Sequence, residues 1–258
     1  MSPTAQALAR TYSDRTYTDP WEKVLDYRRV QEYAAEHPKH GRTRVGNALD
    51  LPPSRVRGWL NDGMPDPVRG IQTAIDHGWL DPYPDSETAT GLVELLAHIL
   101  AGGSITATTF APAVTAARRV GLDTIREAFY RVGVETSVRH DDADGRATEV
   151  VPTTDASVLG RGLVTMGAPA GEKIGHDSFP EVVWEVPSDT RRSFARIYVG
   201  HRAAEFRGKR TMVIQEDRSE AYLRGLKELL TDVTGETVNL GDRTVTISAD
   251  AVRALCIE

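Results

Sequence analysis

The sequence contains an internal repeat: the same order of predicted helices and strands occurs twice, about 100 residues apart. This repeat limits the possible folds of the chain more than any other feature. Residues 94–105 (ELLAHILAGGSI) predict an apolar helix that ends in glycine and leads into a strand, and residues 194–203 (FARIYVGHRA) predict the same succession. A strand pair, an amphipathic helix, a second strand pair and a last helix follow each of them. The sequence therefore predicts an α+β domain in which the order αββαββα occurs twice.

Proline residues separate this domain from the start of the chain. Residues 81–86 (DPYPDS) place two prolines among acidic residues, a composition typical of a linker. The predicted organisation is an N-terminal tail at 1–19, a small all-α domain at 20–80, a linker at 81–88 and the α+β domain at 89–258, with repeats at 89–167 and 188–258.

Composition excludes several classes of protein. The single cysteine, Cys256, excludes a disulfide framework and a cysteine-based zinc site, and the seven histidines lack metal-binding spacing. We therefore expect no metal or other cofactor. No apolar run approaches the length of a membrane span, so we expect a cytoplasmic chain. The net charge of −6 weighs mildly against a nucleic-acid partner.

Most of the basic residues are arginine, and this composition weakens the argument from net charge against a nucleic-acid partner. Of the 31 basic residues, 26 are arginine, which is typical of a GC-rich or salt-adapted host such as a halophilic archaeon, although ordinary compositional bias explains it equally well. In concentrated salt the attraction to phosphate through counterion release is weak, so a DNA-binding protein there need not be basic overall.

The first region has the pattern of a helix-turn-helix. Helices are predicted at 20–36, 43–49, 55–61 and 67–77, and a tight turn at 50–53 joins the second to the third. Val56, Trp59 and Leu60 give the third helix one apolar face. Residues 43–60 resemble homeodomain-like helix-turn-helix units. The resemblance implies that polar residues on the outer faces contact DNA: Arg42, Arg44, Ser54, Arg55, Arg57 and Asn61. A three-helix bundle without DNA contact, or a protein-docking module, remains the alternative.

The second region resembles the LAGLIDADG homing endonucleases in their single-chain, two-motif form. Besides the two motif helices, residues 157–194 resemble the connector of that family, with a glycine-rich turn that carries Lys173. The resemblance implies two pseudo-twofold repeats whose motif helices pack side by side through small residues. Ala97 and Ala101 supply that face in the first helix, and Ala195 and Val199 supply a poorer one in the second. It also implies two sheets that lie along the major groove of DNA.

The acidic residues that this family requires for cleavage are missing. Hydrolysis by a pair of divalent metals needs a carboxylate at the end of each motif helix. Gly102 and Arg202 occupy those positions, and no aspartate or glutamate occurs at 95–122 or 190–204. We therefore expect no catalytic residues, no metal site and no enzymatic activity. We also expect the Arg202 guanidinium to neutralise phosphate in place of the metal.

Further basic residues lie at predicted strand ends, where members of the family contact DNA. They are Arg118, Arg119, Arg139 and Arg146 in the first repeat, and Arg207, Lys209 and Arg210 in the second. Solvated strand ends are the simpler explanation for any single one of them, but together they favour a DNA-facing surface.

These observations predict a sequence-specific protein that binds double-stranded DNA, acts in transcription regulation and is associated with the nucleoid. Bacterial sporulation regulators join a degenerate LAGLIDADG domain to a helix-turn-helix in the reverse order, and only this architecture is carried over. An active homing endonuclease or intein-derived nuclease is the first alternative, and a protein-interaction module is the second. The sequence leaves open whether the chain forms a homodimer or binds a protein through its acidic surface; no membrane contact is expected.

Overall fold

A computed structural model describes residues 2–141, 145–173, 178–205 and 208–257. The chain divides into two compact units. The first unit spans Thr4–Asp76, and the second combines Pro3 with the residues from His77 onward. No helix in the described part of the chain is both long and apolar enough to cross a membrane.

The first unit is all-α, as predicted. One core cluster contains Val30, Val45, Val56 and Trp59, and the partly buried Leu60 packs against it, so the predicted inner face of the third helix faces this core. The turn between the second and third predicted helices depends on Asp50, which adopts a left-handed conformation with φ of 56°. The helices are α1 (Ala5–Arg10), α2 (Pro20–Glu36), α3 (Arg42–Leu49), α4 (Pro53–Leu60) and α5 (Asp66–Asp76).

The predicted N-terminal tail at 1–19 is wrong, because this segment contains α1. Thr4 caps the helix, and Leu8 and Ala9 are fully buried. Tyr12, just after α1, packs so closely on α5 that a Cβ at Gly70 would lie 2.0 Å from the tyrosine hydroxyl oxygen. A helix of six residues is too short for a periodic signal, so its existence depends on tertiary packing.

The boundary between the regions also differs from the prediction. Trp79, which the sequence assigns to the all-α domain, is buried in the second unit, where its Nε1 donates to the carbonyl oxygen of Val132 at 2.9 Å. The predicted linker at 81–88 is shorter in the structure, since Ser86 already caps the next helix. The structure divides the two units between Asp76 and His77, so the prolines of residues 81–86 lie within the second unit.

The second unit contains the predicted order αββαββα twice, and the α+β fold is confirmed. The first repeat consists of α6 (Glu87–Gly102), β1 (Gly103–Ile105), β2 (Pro112–Thr115), α7 (Leu122–Arg131), β3 (Thr136–Arg139), β4 (Glu149–Pro152) and α8 (Ala156–Thr165). After a 3-10 turn at Glu181–Trp184, the second consists of α9 (Ser188–Arg202), β5 (Ala204–Glu205), β6 (Met212–Gln215), α10 (Glu220–Thr234), β7 (Val238–Leu240), β8 (Thr244–Ile247) and α11 (Ala249–Ala254).

The two repeats form equivalent antiparallel sheets, with orders β1-β2-β4-β3 and β5-β6-β8-β7. Ser104 pairs with Ala113 in the first sheet and Ala204 with Val213 in the second. Positions 100 residues apart are therefore equivalent where each motif helix enters its sheet. This is the two-repeat architecture that the resemblance to the LAGLIDADG family implies.

The motif helices α6 and α9 pack together at the centre of the unit. Ala97, Ala101, Ala195 and Val199 are all buried, yet polar groups also join the helices. The hydroxyl oxygens of Thr90 and Thr190 lie 3.2 Å apart, and the Ser193 hydroxyl donates to Glu94 Oε1 at 2.6 Å. The contact between the helices is therefore more polar than a seam of small residues.

Candidate nucleic-acid interface

Helices α3 and α4 present free arginines on the surface of the first unit. Arg42 and Arg44 begin α3, and Arg57 lies in the last turn of α4. All three are exposed, and none forms a hydrogen bond or ion pair with any residue that the structure describes. Ser54 is also exposed, but it lies inside α4 rather than at its N-cap, which is Pro52.

Two other predicted contact residues have structural roles. The Arg55 guanidinium stacks over the Tyr17 ring, 4.6 Å from its centroid, and Nη1 donates to the tyrosine hydroxyl at 2.8 Å. The same hydroxyl donates to Asp26, and burial together with this carboxylate raises the pKa of Tyr17 to about 12. Asn61 is exposed but forms the C-cap of α4. Arg55 is thus held against the unit, while Arg57 remains free.

Gly58 is a candidate of a different kind, because it has no side chain to contact DNA. It lies in α4 next to Arg57, is exposed, and has no heavy atom within 4 Å of the position that a Cβ would occupy. Glycine inside a helix costs about 0.5–1 kcal/mol relative to alanine. Because the fold does not require glycine here, its absent side chain leaves room for close approach of a partner.

In the second unit, the ends of α6 and α9 meet at Gly102 and His201. A Cβ at Gly102 would lie only 2.1 Å from Nδ1 of His201, so the imidazole occupies the space of a side chain there. Nε2 of His201 shares a hydrogen bond of 2.9 Å with Nδ1 of the buried His98. Burial and mutual proximity lower the pKa of His98 to about 3; burial and the nearby Lys173 lower that of His201 to about 4. Both imidazoles are therefore neutral at pH 7.

The end of α9 is tied into a buried polar network around Glu216, whose side chain is only 2% exposed. Oε1 of Glu216 accepts from the Tyr198 hydroxyl at 2.6 Å and from Arg202 Nε at 2.9 Å. Oε2 accepts from Arg218 Nε at 2.8 Å. The predicted phosphate-binding residue Arg202 is thus already ion-paired along one edge, although 40% of its side chain remains exposed.

Cations also cap the carbonyl groups at the end of each motif helix. Lys173 Nζ donates to the carbonyl oxygens of Ile99 at 2.5 Å and Leu100 at 3.2 Å. Burial and the neighbouring Arg218 lower the pKa of this lysine to about 8. Arg218 Nη2 donates to Leu100 at 2.7 Å.

The cap on α9 comes from the other repeat. Arg119 Nη1 donates to the carbonyl oxygen of Ala203 at 3.0 Å, and the same guanidinium is ion-paired with Glu205. An arginine that follows β2 therefore caps α9, just as Arg218, which follows β6, caps α6. Each cation lies where the carbonyl dipoles of a helix end favour positive charge.

These residues do not fit the divalent metal that the family resemblance implies. Gly102 offers no ligand, and Arg202 would repel a cation. Both oxygens of Glu216 already accept from arginines, and Glu205 is paired with Arg119. Within the described ranges there is no cluster of three histidine, cysteine or acidic side chains that could hold a metal ion.

The remaining predicted residues of the second unit divide into two groups. Arg118, Arg119, Lys209 and Arg210 come together with His201 around an open cavity of about 720 Å³. Arg139 and Arg146 are exposed and do not line this cavity. Arg207 lies outside the described residues.

No family model and no curated protein matches the chain. Among solved structures, the chain is similar to full-length DUF199/WhiA from Thermotoga maritima, with 14% identity, a TM-score of 0.45 and coverage of 69% of this chain and 58% of that one. It is also similar to I-DmoI in complex with DNA and Mn, with 12% identity, a TM-score of 0.43 and coverage of 66% of this chain and 96% of that one. A third similar structure is the homing endonuclease I-WcaI bound to its DNA recognition sequence. The identity is 8% and the TM-score is 0.46, and the match covers 76% of this chain and 88% of that one. The chain thus spans less than two thirds of the WhiA protein.

Proposed function

We propose that this protein binds double-stranded DNA at specific sequences without cleaving it, as a nucleoid-associated transcriptional regulator. The observation that supports the absence of cleavage is the chemistry where the motif helices end. Gly102, His201 and Arg202 occupy the place of a carboxylate pair, and the nearby Glu216 is fully engaged by cations. Such a site attracts phosphate and repels divalent metal.

Base reading is assigned to the first unit. Arg57 is free at the surface of α4, and a free guanidinium can donate two parallel hydrogen bonds to guanine in the major groove. Arg42 and Arg44 on the neighbouring α3 supply charge for phosphates. Arg55 is assigned a structural role because Tyr17 holds it.

Backbone contacts are assigned to the second unit. Arg118, Lys209 and Arg210 surround the open cavity near the end of α9, and they carry net positive charge in a chain whose overall charge is −6. Two modules joined in one chain raise each other's effective concentration on a long site, which increases affinity without new contacts.

The decisive experiment is genomic footprinting followed by incubation of the recovered site with the protein and Mg²⁺ or Mn²⁺. We expect a protected sequence, binding that survives a chelator, and intact DNA. Specific cleavage would establish a nuclease instead. The absence of any footprint, together with recovery of a protein partner, would establish an interaction module.

Two variants of α4 distinguish a residue that contacts DNA bases from a residue that stabilises the fold. Arg57→Ala should weaken binding to the recovered site by about 1–3 kcal/mol, the value of one good base contact, and leave the thermal midpoint unchanged. Trp59→Ala should cost about 3–5 kcal/mol of stability, because it empties the centre of the core. If Arg57→Ala binds like the unmodified protein, α4 does not read the site.

Gly58→Ala moves stability and binding in opposite directions if α4 lies in the groove. It should stabilise the first unit by about 0.5–1 kcal/mol, since its Cβ meets nothing in the fold, while weakening DNA binding through loss of close approach. Gly162→Ala in α8 is the matched control, because its Cβ also meets nothing within 4 Å. It should leave DNA binding unchanged. Unchanged binding by both variants would place the DNA elsewhere.

A further inference from the structure

A second cavity, of about 550 Å³, lies beside the paired helices of the second unit. Its walls come from both repeats: Glu94 of α6, six residues between Arg118 and Arg131 that do not include Arg126, and residues of α9 that include Ser193 and Arg196. Its volume is within the range of pockets that hold small ligands, about 300–1,000 Å³. A ligand bound there would contact both repeats at once.

The charges around this cavity do not balance. Four arginines line it against two glutamates. Glu94 is already engaged, since it accepts from Ser193 at 2.6 Å and pairs with Arg131 at 3.4 Å. Arg131 also pairs with Glu127 at 3.4 Å. Arg118 and Arg196 form no ion pair or hydrogen bond with any described residue, so two guanidinium groups stay uncompensated.

We propose that this cavity binds a small anion with phosphate or carboxylate groups, held between Arg118 of the first repeat and Arg196 of the second. A guanidinium matches two oxygens of either group with parallel hydrogen bonds. Val120 and Ile197, which also line the cavity, provide apolar surface for the body of such a ligand. The ligand class is therefore a compact anion rather than a bare cation or a neutral metabolite.

This site has a consequence for the proposed DNA binding. Arg118 also lines the larger cavity with Lys209 and Arg210, and these three residues are the ones assigned to the DNA backbone. An anion bound to Arg118 removes it from phosphate contact, so anion and DNA compete. This regulatory part rests on the proposed function, whereas the anion site itself does not.

Binding is tested first without DNA. Inorganic pyrophosphate and citrate are titrated by calorimetry and by thermal unfolding, against potassium chloride at equal ionic strength. The unmodified protein should show saturable binding, and Arg196→Gln should bind at least tenfold more weakly. Arg126→Gln is the matched control, because this exposed arginine of α7 does not line the cavity. Equal stabilisation of all three proteins would be a general salt effect and would overturn the site.

Competition is tested next on the recovered DNA site. Pyrophosphate at saturation should reduce the affinity of the unmodified protein for DNA several-fold more than that of Arg196→Gln, at constant ionic strength. Equal reduction in both proteins would overturn the regulatory part. If the protein binds the anion but no DNA, the anion site is supported and the proposed function is refuted. If it binds DNA but its anion binding does not depend on Arg196, the proposed function stands and the anion site is refuted.

Discussion

The ends of α6 and α9 have equivalent backbone positions and different chemistry. The end of α6 carries no side chain at Gly102, and the imidazole of His201 fills that space. The end of α9 carries Arg202, which is tied to the buried Glu216. Nevertheless, neither end carries a carboxylate, since Gly102 has no side chain and Arg202 is cationic.

The difference follows from three equivalent positions in the two repeats. Where the second repeat has Tyr198, Arg202 and Glu216, the first has His98, Gly102 and Ala116. Only the second repeat can therefore build a buried network of acid, arginine and phenol. The first repeat lacks an acid at this place, which leaves its neighbour Arg118 exposed and available to a ligand.

The largest expected effect comes from breaking the network of the second repeat. Glu216→Gln should cost about 3–5 kcal/mol of stability, because it leaves the guanidinium of Arg218, whose side chain is 4% exposed, without a counter-charge. Glu205→Gln is the matched control in the same repeat, since its side chain is 43% exposed and its pair with Arg119 is worth at most about 1 kcal/mol. Urea unfolding measures both. Equal losses would show that the buried network is worth no more than the exposed pair.

Acid should weaken the second unit through the histidine pair that joins the two ends. The folded-state pKa values of about 3 for His98 and about 4 for His201 lie below the ordinary 6.5. As pH falls below 6.5 the unfolded chain binds protons that the folded chain cannot, so stability is lost until the folded pKa is reached. The loss for His201 is on the order of 3 kcal/mol.

The measurement compares the unmodified protein with His201→Gln from pH 7 to pH 4. Other groups titrate in both proteins, so the informative quantity is the difference between their free energies of unfolding. As pH falls, the free energy of unfolding of the variant should rise relative to that of the unmodified protein. Parallel curves would mean that the imidazole pair is not the acid-sensitive element.

Much of the fold could be predicted because its signals are local and repeated. The two motif helices, each followed by strand-forming residues, set the αββαββα order, and the absence of acids at 95–122 and 190–204 is visible without any structure. Helix α1 could not be predicted, because six residues carry no periodicity and Leu8 is buried only by tertiary contacts.

The chemistry at the helix ends was less predictable, since its partners are distant in sequence. His98 and His201 are 103 residues apart, and Arg218 is 118 residues from its acceptor Leu100. Periodicity gives no information on which side chains meet across repeats. Likewise Arg55 fits the outer-face pattern of α4 but stacks on Tyr17, 38 residues earlier. The identities of candidate residues were accessible from sequence, but their partners were not.

Adding an acid to the first repeat should produce a steric effect of intermediate size. Gly102→Asp forces a Cβ into the ring of His201, and overpacking of this kind costs about 1–3 kcal/mol. Adding His201→Ala should recover part of that loss, and a double-mutant cycle measures the coupling. Neither variant should nick DNA, because Arg202 still occupies the second position. Purely additive losses would contradict the packing of the imidazole against Gly102.

The smallest expected effect tests whether Arg202 still contacts phosphate despite its pair with Glu216. One edge of the guanidinium is engaged, but its side chain remains 40% exposed and can neutralise one phosphate. Arg202→Ala should therefore weaken binding to all DNA sequences alike and reduce the slope of log affinity against log salt by roughly one unit. Arg192→Ala, at the other end of α9, is the control and should leave the slope unchanged. Because removing Arg202 also takes a partner from Glu216, binding is measured well below the unfolding midpoint of the variant. An unchanged slope would assign Arg202 to the buried network alone, and the two helix ends would then differ in function as well as in chemistry.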